Sequence, residues 1–477
     1  MHSILSVGID LGTTTTQVVF SRIFMKNTAG YFTVPKISIV DREILYRSEI
    51  HPTPLVNSTL LNGEAIREIV GGEFAAAGFS PADMDTGAVI ITGESAGKKN
   101  AEVTTRFLSD FAGEFVVSTA GPDMESVIAG KGSGAWQYSI DNECRVANLD
   151  IGGGTTNIVW FDCGKTAAVS CLDIGGHLIL VDGQGKIISI SPPAEVVARA
   201  LNIELHVGMT ANAAVISRIT DKMAELICQA LGLRPREKLL LELVTGGSSP
   251  LPQSPAADRI CFSGGVADCM AGHGGGEAFA YGDIGVLLGR SIKKAPELAP
   301  DAARPAAGET IRATVIGAGT YTTTLSGSTI FCTGGILPVK NMPVCRLSSE
   351  EQTRCMEGEY DFLTRRISYT MKQNSTENVL VAVPGMDDPL YTEIKSLAEG
   401  VCRAADSALP GGAPLLFAVE RDMAKAMGDS IYGMVGERRG VISIDNIYVE
   451  ENDFVDIGKP LMNGIVVPVI VKTLLFG

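Results

Sequence analysis

The chain has 477 residues, 45% hydrophobic and 19% charged, the balance of a folded globular protein too long for one core. Its 54 acidic against 39 basic residues give a net charge of −15. That argues against binding to a nucleic-acid backbone or to an anionic membrane surface. No apolar run approaches the ~18 residues of a membrane span, and the N-terminus carries no signal pattern, so a cytoplasmic protein is expected.

The first three strands are predicted at Ile4–Asp10, Gln17–Ile23 and Tyr31–Val40, as a β-meander. A helix at Gly63–Ala77, a buried strand at Ala88–Thr92, a helix at Ala96–Phe111 and a strand at Glu114–Ser118 follow. Pro122 is well placed in the first turn of a helix running from Asp123 to Gly130. Residues 145–190 read as a second meander cut by glycines, and helices follow at Ala194–Leu201 and Ala211–Leu231. Gly246–Ala257 is a loop by composition. A short strand, Ile260–Phe262, and a helix, Gly285–Ser291, come next, then a Pro/Ala-rich linker at Ala295–Ala307. Strands are predicted at Thr310–Gly319 and Ser328–Cys332. Past residue 336 the pattern is a smaller α/β unit, with strands at Val379–Val383 and Leu415–Ala418, a helix at Tyr391–Ala408 and a β-rich tail.

Two segments nearly repeat each other. Val7–Thr16 (VGIDLGTTTT) and Asn148–Asn157 (NLDIGGGTTN) each read as an apolar strand, an Asp, a Gly/Thr turn and a second apolar stretch. Gly12, Gly152, Gly153 and Gly154 let the backbone approach an anion and leave N–H groups free to donate. Thr13, Thr14, Thr15 and Thr155 add hydroxyl donors. Phosphate would repel Asp10 and Asp150, so their natural use is to hold Mg²⁺ against it through water. Four successive threonines are awkward at a plain turn, because β-branched residues prefer extended backbone. Two such tips in one register predict a duplicated fold that grips a nucleotide from both sides. Phe262-Ser263-Gly264-Gly265-Val266 ends a strand in two glycines, and Gly264 and Gly265 would let a flat ring or ribose approach.

Other residues carry less. Asp283, ahead of Gly285, is expected to cap a helix rather than to catalyse. Lys98 and Lys99 read as a solvated pair, and His177 is given no role. None of the ten cysteines forms Cys-x-x-Cys, and the five histidines do not cluster, so reduced, scattered thiols are expected rather than a structural zinc site.

The order of these parts resembles the actin-like ATPase superfamily. The resemblance implies a duplicated, ribonuclease H-like α/β fold binding ATP or ADP with Mg²⁺. It places a connecting helix at Pro122–Gly134, the adenosine motif at Phe262–Ala267 and a second connecting helix at Gly282–Ser291. The expected division is lobe I at 1–140, lobe II with the adenosine motif at 141–294, a return segment on lobe I at 308–335, and a C-terminal α/β region at 336–477. Leu5–Ser21, Ile90–Ser95, Ala120–Gly134, Ala313–Ile330 and Asp456–Leu475 are similar, nearly end to end, to the EutA family of ethanolamine utilisation proteins. That resemblance implies a slow ATPase acting as a chaperone-like reactivating factor. Its partner would be adenosylcobalamin-dependent ethanolamine ammonia-lyase, from which it releases damaged cobalamin. It leaves open a homo-oligomer and an association with a bacterial microcompartment. One departure concerns catalysis. The chaperone branch of the superfamily has a Glu before the Pro of its connecting helix, and here Gly121 precedes Pro122. Glu125, one helical step inside, is the candidate to orient the attacking water, beside Asp123; a plain first-turn carboxylate fits equally. A small-molecule kinase on the same fold is the alternative, although no Asp motif offers itself as its base. An iron–sulfur activator using Cys261 and Cys269, and a filament former, complete the readings.

Overall fold

The computed structural model describes residues 2–12, 15–27, 37–57, 60–91, 118–119, 122–270, 277–302, 310–321, 324–326, 329–374, 376–451, 453–461, 464 and 466–473. Thr13, Thr14, Lys98 and Lys99, the helix expected at Ala96–Phe111 and nearly all of the strand expected at Glu114–Ser118 lie outside the described residues.

Two sheets repeat one topology. In the first, β1 (His2–Leu11), β2 (Thr15–Asn27) and β3 (Ile37–Arg47) form an antiparallel meander. The short β4 (His51–Pro52) pairs with the start of β2, and β5 (Leu55–Asn57) and β6 (Leu60–Leu61) make a separate hairpin. After α1 (Gly63–Ala77) the chain returns as β7 (Thr86–Ile91), parallel to β1, with β8 (Ser118–Thr119) beyond it. The sheet order is β3-β2-β1-β7-β8. Helix α1 matches its expected bounds because both ends are punctuated. Asn62 accepts from Ala65 N at 3.2 Å, and Gly78 leaves the helix at φ 76°.

In the second sheet, β9 (Arg145–Ile151), β10 (Thr156–Asp162) and β11 (Lys165–Leu172) form the meander, and β14 (Arg259–Ser263) returns parallel to β9. The order is β11-β10-β9-β14. Between β11 and β14 lie the hairpin β12 (Ile179–Val181) with β13 (Ile187–Ile190), and then three helices, numbered below.

Helices α2 (Pro122–Gly132) and α3 (Ala135–Asp141) join the sheets. The helices after β13 are α4 (Pro192–Ala200), α5 (Ala213–Ala230) and α6 (Lys238–Glu242). In α5 the apolar residues Ile216, Ile219, Met223, Leu226 and Ile227 recur at helical spacing and are buried in the main core of this half. Next come α7 (Gly265–Met270), α8 (Gly285–Lys294), α9 (Ala299–Ala302) and α10 (Ala313–Tyr321).

Several expectations need correction. The third strand extends past its expected end at Val40 to Arg47, and residues 31–36 of the expected strand lie outside the described residues. Part of the expected linker is the helical turn α9. The segment Thr310–Gly319, expected as a strand, is helical from Ala313. It is also the second connecting helix, in place of Gly282–Ser291. Val286, Leu287, Leu288 and Ile292 of α8 are buried, and Leu287, Leu288 and Ile292 lie in the core of the second half. Helix α10 instead meets both β1 and α2, with backbones in contact. A Cβ on Gly8 would lie 2.4 Å from Val315 O, one on Gly132 1.8 Å from Ala313 O, and one on Gly317 2.1 Å from Ile128 O. Only glycine permits such approaches.

Beyond α10 the chain enters an eight-stranded sheet, ordered β15-β22-β21-β17-β18-β19-β20-β16. Its strands are β15 (Thr324–Leu325), β16 (Phe331–Cys332), β17 (Val339–Arg346), β18 (Leu380–Val383), β19 (Leu415–Val419), β20 (Val441–Asp445), β21 (Asp453–Ile457) and β22 (Pro468–Thr473). Strands β17 to β20 are parallel and are linked by α11 (Ser349–Met356), α12 (Asp361–Gln373), α13 (Tyr391–Ala408) and α14 (Ala424–Val435). The strands read as continuous apolar runs because both faces are covered. Val381, Val383 and Phe417 face the helices, while Leu380, Ala382 and Leu416 meet Val455, Ile457 and Val469 of the tail. Val466 of the tail joins Ile4, Ile23 and Met25 of the first sheet.

Candidate functional site

The two glycine–threonine tips close in the same way. In the β1–β2 hairpin Asp10 faces Gln17 and Leu11 faces Thr16, and Gly12 N–H donates to Thr15 O at 2.9 Å. In the β9–β10 hairpin Asp150 faces Asn157 and Ile151 faces Thr156, and Gly152 N–H donates to Thr155 O at 3.0 Å. Side chains alternate along a strand, so Asp10 shares the face of Gly8, which lies against α10. Asp150 also faces that helix and accepts from Thr314 Oγ1 at 3.4 Å. Both carboxylates therefore stand on the sheet faces turned toward α10, and they are 8% and 6% exposed.

Asp150 ends a buried chain of hydroxyl and amide groups. Ser133 Oγ donates to Asn148 Oδ1 (2.8 Å), Asn148 Nδ2 to Ser263 Oγ (3.0 Å), and Ser263 Oγ to Asp150 Oδ1 (2.6 Å). Burial raises the Asp150 pKa, and the bonds from Ser263 and Thr314 pull it back. Opposite the two carboxylates, Gln17 Oε1 and Asn157 Oδ1 are buried and have no hydrogen-bond partner among the described residues. Carboxylate and amide oxygens are the hard ligand types that Mg²⁺ and the waters it carries take.

The tips differ in how open they are. Among the described residues nothing lies within 4 Å of a Cβ built on Gly154, whereas one on Gly153 would meet the His177 ring at 2.7 Å. Gly264, with φ +86°, lets the end of β14 rest on β9, since its Cβ would lie 2.5 Å from Ile151 O. Gly265 is less crowded, with Ile311 3.9 Å from its Cβ position. The bareness of Gly264 thus serves internal packing, and Gly265 offers the open face.

Glu125 lies half-buried in the first turn of α2, close enough to Cys171 to act on its charge. Burial pushes that thiol up to about 12, Glu125 and Asp173 raise it, and hydrogen bonds with Thr245 and Thr155 oppose the rise. Glu125 and Thr155 therefore approach the same thiol at the second tip. Asp123 is committed elsewhere, accepting from Ser249 N at 3.0 Å and from Ser249 Oγ at 2.5 Å. Asp283 caps α8 as expected, its Oδ1 accepting from Gly285 N at 2.7 Å. Burial raises the Cys261 thiol, and the Cys269 thiol to about 11.

Sequence reasoning missed Ser263, Asn148, Thr314, Gln17 and Asn157. The last two were accessible, because counting across each hairpin from its Asp reaches them.

The sequence matches the family described as "Ethanolamine utilisation protein EutA" over residues 2–477. The proteins named "Ethanolamine ammonia-lyase reactivase EutA" from Escherichia coli (strain K12) and Salmonella typhimurium (strain LT2) are each 36% identical to it, over 100% of this chain and 99% of their own. Among solved structures, the Aquifex aeolicus member of the Ppx/GppA protein family covers 66% of this chain and 87% of its own, at 17% identity and a TM-score of 0.34.

Proposed function

The chain belongs to the EutA family of ethanolamine utilisation proteins, and from that premise we propose that it is an ATP-dependent reactivating factor for ethanolamine ammonia-lyase. In this role it frees damaged cobalamin from the lyase so that intact adenosylcobalamin can enter. The observation that carries the reading is co-linearity: the chain aligns along its whole length with proteins of that name. The paired tips support a nucleotide as the energy source. Among the described residues no helix is long and apolar enough to cross a membrane.

The N–H groups of Gly12 and Gly152 close their own turns on Thr15 O and Thr155 O, so the remaining backbone N–H groups and threonine hydroxyls of the tips bind the phosphates. Asp10 and Asp150 would hold Mg²⁺, which would neutralise charge on the phosphates. Glu125 orients the attacking water, and the amides of Gln17 and Asn157 accept hydrogen bonds from water in the cleft. Helix α10 touches Asp150 through Thr314 and meets β1 and α2 through glycine, so a change at the tips reaches the contact between the halves directly. The two nucleotide states must differ in affinity for the lyase, because equal affinity shifts nothing.

The test is coenzyme exchange. Lyase locked with an inactive cobalamin is incubated with this protein, ATP, Mg²⁺ and adenosylcobalamin, and ammonia release is followed. Recovery that needs both the protein and hydrolysable ATP is expected. No recovery, together with ATP-dependent phosphorylation of a small hydroxyl compound, would replace the reading with a kinase.

A further inference from the structure

A tip made of glycine and threonine has no long side chain with which to anchor itself, yet donors must be held rigidly to bind an anion well. Both tips rest on a neighbouring segment. Behind the first, β4 pairs with β2, His51 facing Thr16 and Pro52 facing Thr15, and Thr53 Oγ1 donates to Gly12 O at 2.9 Å. Behind the second, Gly176 N donates to Gly152 O at 2.9 Å and His177 N to Gly153 O at 2.7 Å, while the His177 ring lies against Gly153.

Each supporting segment carries a histidine bound to a buried carboxylate of the same half. His51 Nε2 lies 2.6 Å from Glu73 Oε1, and His177 Nε2 lies 2.8 Å from Asp283 Oδ2. Each carboxylate uses its second oxygen to fix itself. Glu73, on α1, accepts from the Tyr46 hydroxyl on β3 at 2.6 Å, and Asp283 accepts from Gly285 N at the start of α8. The same device occurs twice, built from unrelated elements.

We propose that His51 and His177 are positioning residues for the two phosphate tips, each tying the segment beneath a tip to a carboxylate anchored in its own half. The proposal rests on the nucleotide reading above. Its ligand chemistry is the di- or triphosphate of a nucleotide, and adenosine alone should not sense it.

The test compares His51→Ala, His177→Ala, the double variant and His177→Gln with the parent, titrating each with ATP, ADP and adenosine. Each alanine variant is expected to weaken ATP and ADP binding about tenfold, the scale of one lost charge-assisted hydrogen bond. The double variant should lose about a hundredfold, because the two sites do not touch. Adenosine affinity should stay at the parent's value, and His177→Gln, whose amide still reaches Asp283, should recover most of the loss. ATP and adenosine affinities falling together, or alanine variants binding ATP like the parent, would overturn the proposal. Amide hydrogen exchange at residues 152–155 without nucleotide separates this outcome from failure of the nucleotide reading. His177→Ala should speed exchange there even if the parent binds no ATP, and unchanged exchange would end the proposal independently.

Discussion

Gln17 and Asn157 occupy the same place in two hairpins: each stands directly across from an aspartate, Asp10 or Asp150. Each also keeps a side-chain oxygen buried and unpartnered among the described residues. A buried acceptor without a donor costs roughly 1–3 kcal/mol. Two such costs at matching positions suit a protein that is completed by something bound between its halves.

The cost extends to Asp150. Its carboxyl pKa is raised by burial, so the charged form strains the nucleotide-free protein. Asp150→Asn keeps the shape and the bond from Ser263. The variant should melt at a higher temperature than the parent at pH 7.5 without nucleotide and lose about 10²-fold or more of ATP hydrolysis. Calorimetry and phosphate release check the two halves of this expectation, and a variant with parental turnover would remove Asp150 from the metal site.

Gly154 is the cleaner place to block the second tip. Valine at Gly153 would also displace the His177 ring, whereas no described residue lies within 4 Å of a Cβ on Gly154. Gly154→Val should leave the melting temperature nearly unchanged and abolish the rise caused by ATP. In the parent that rise corresponds to about 2.7 kcal/mol at a hundredfold excess over Kd. An equal rise in both proteins would make the tip a simple turn.

Glu125 and Asp123 separate by experiment. Glu125→Gln should slow hydrolysis about 10²-fold while ATP binding persists. Asp123→Asn weakens the ties to Ser249 and should lower stability by about 1 kcal/mol with little effect on turnover. Single-turnover kinetics and urea midpoints on both variants check this, and the reverse pattern would exchange the roles.

How much the sequence reveals depends on whether a feature is local. The tips were legible because glycine, threonine and aspartate at fixed spacing carry their own geometry. Helix α1 kept its expected bounds because Asn62 and Gly78 punctuate it locally, and β18 and β19 were legible from apolar runs. Helix α10 was misread because Ala313–Tyr321 is rich in glycine and β-branched residues, which favour other conformations. Its glycines are there for backbone contact with β1 and α2, a reason visible only once the halves are assembled. His177 had no role in the sequence for the same cause, since its partner Asp283 is far along the chain.

The C-terminal unit brings two carboxylates to one hydroxyl. Thr329 Oγ1 lies within hydrogen-bond distance of both Asp422 and Asp445, yet a hydroxyl has one proton to give. Asp445 ends β20, is 1% exposed, and has its carboxyl pushed up to about 6 by burial first and by Asp422 beside it. An acid whose folded pKa exceeds its unfolded value binds the extra proton only in the folded state. Its contribution to stability is therefore greatest below the unfolded value near pH 4. It falls as pH rises to 6, and above that it remains a constant penalty. A shift of about two units corresponds to about 3 kcal/mol as an upper figure. Asp445→Asn should thus stabilise the protein at pH 7.5, by up to that amount, and give little difference at pH 4. Urea denaturation at both pH values, followed by tryptophan fluorescence and far-UV circular dichroism, measures it. A variant less stable than the parent at pH 7.5 would show that the charged carboxylate, rather than a shared proton, holds Thr329 in place.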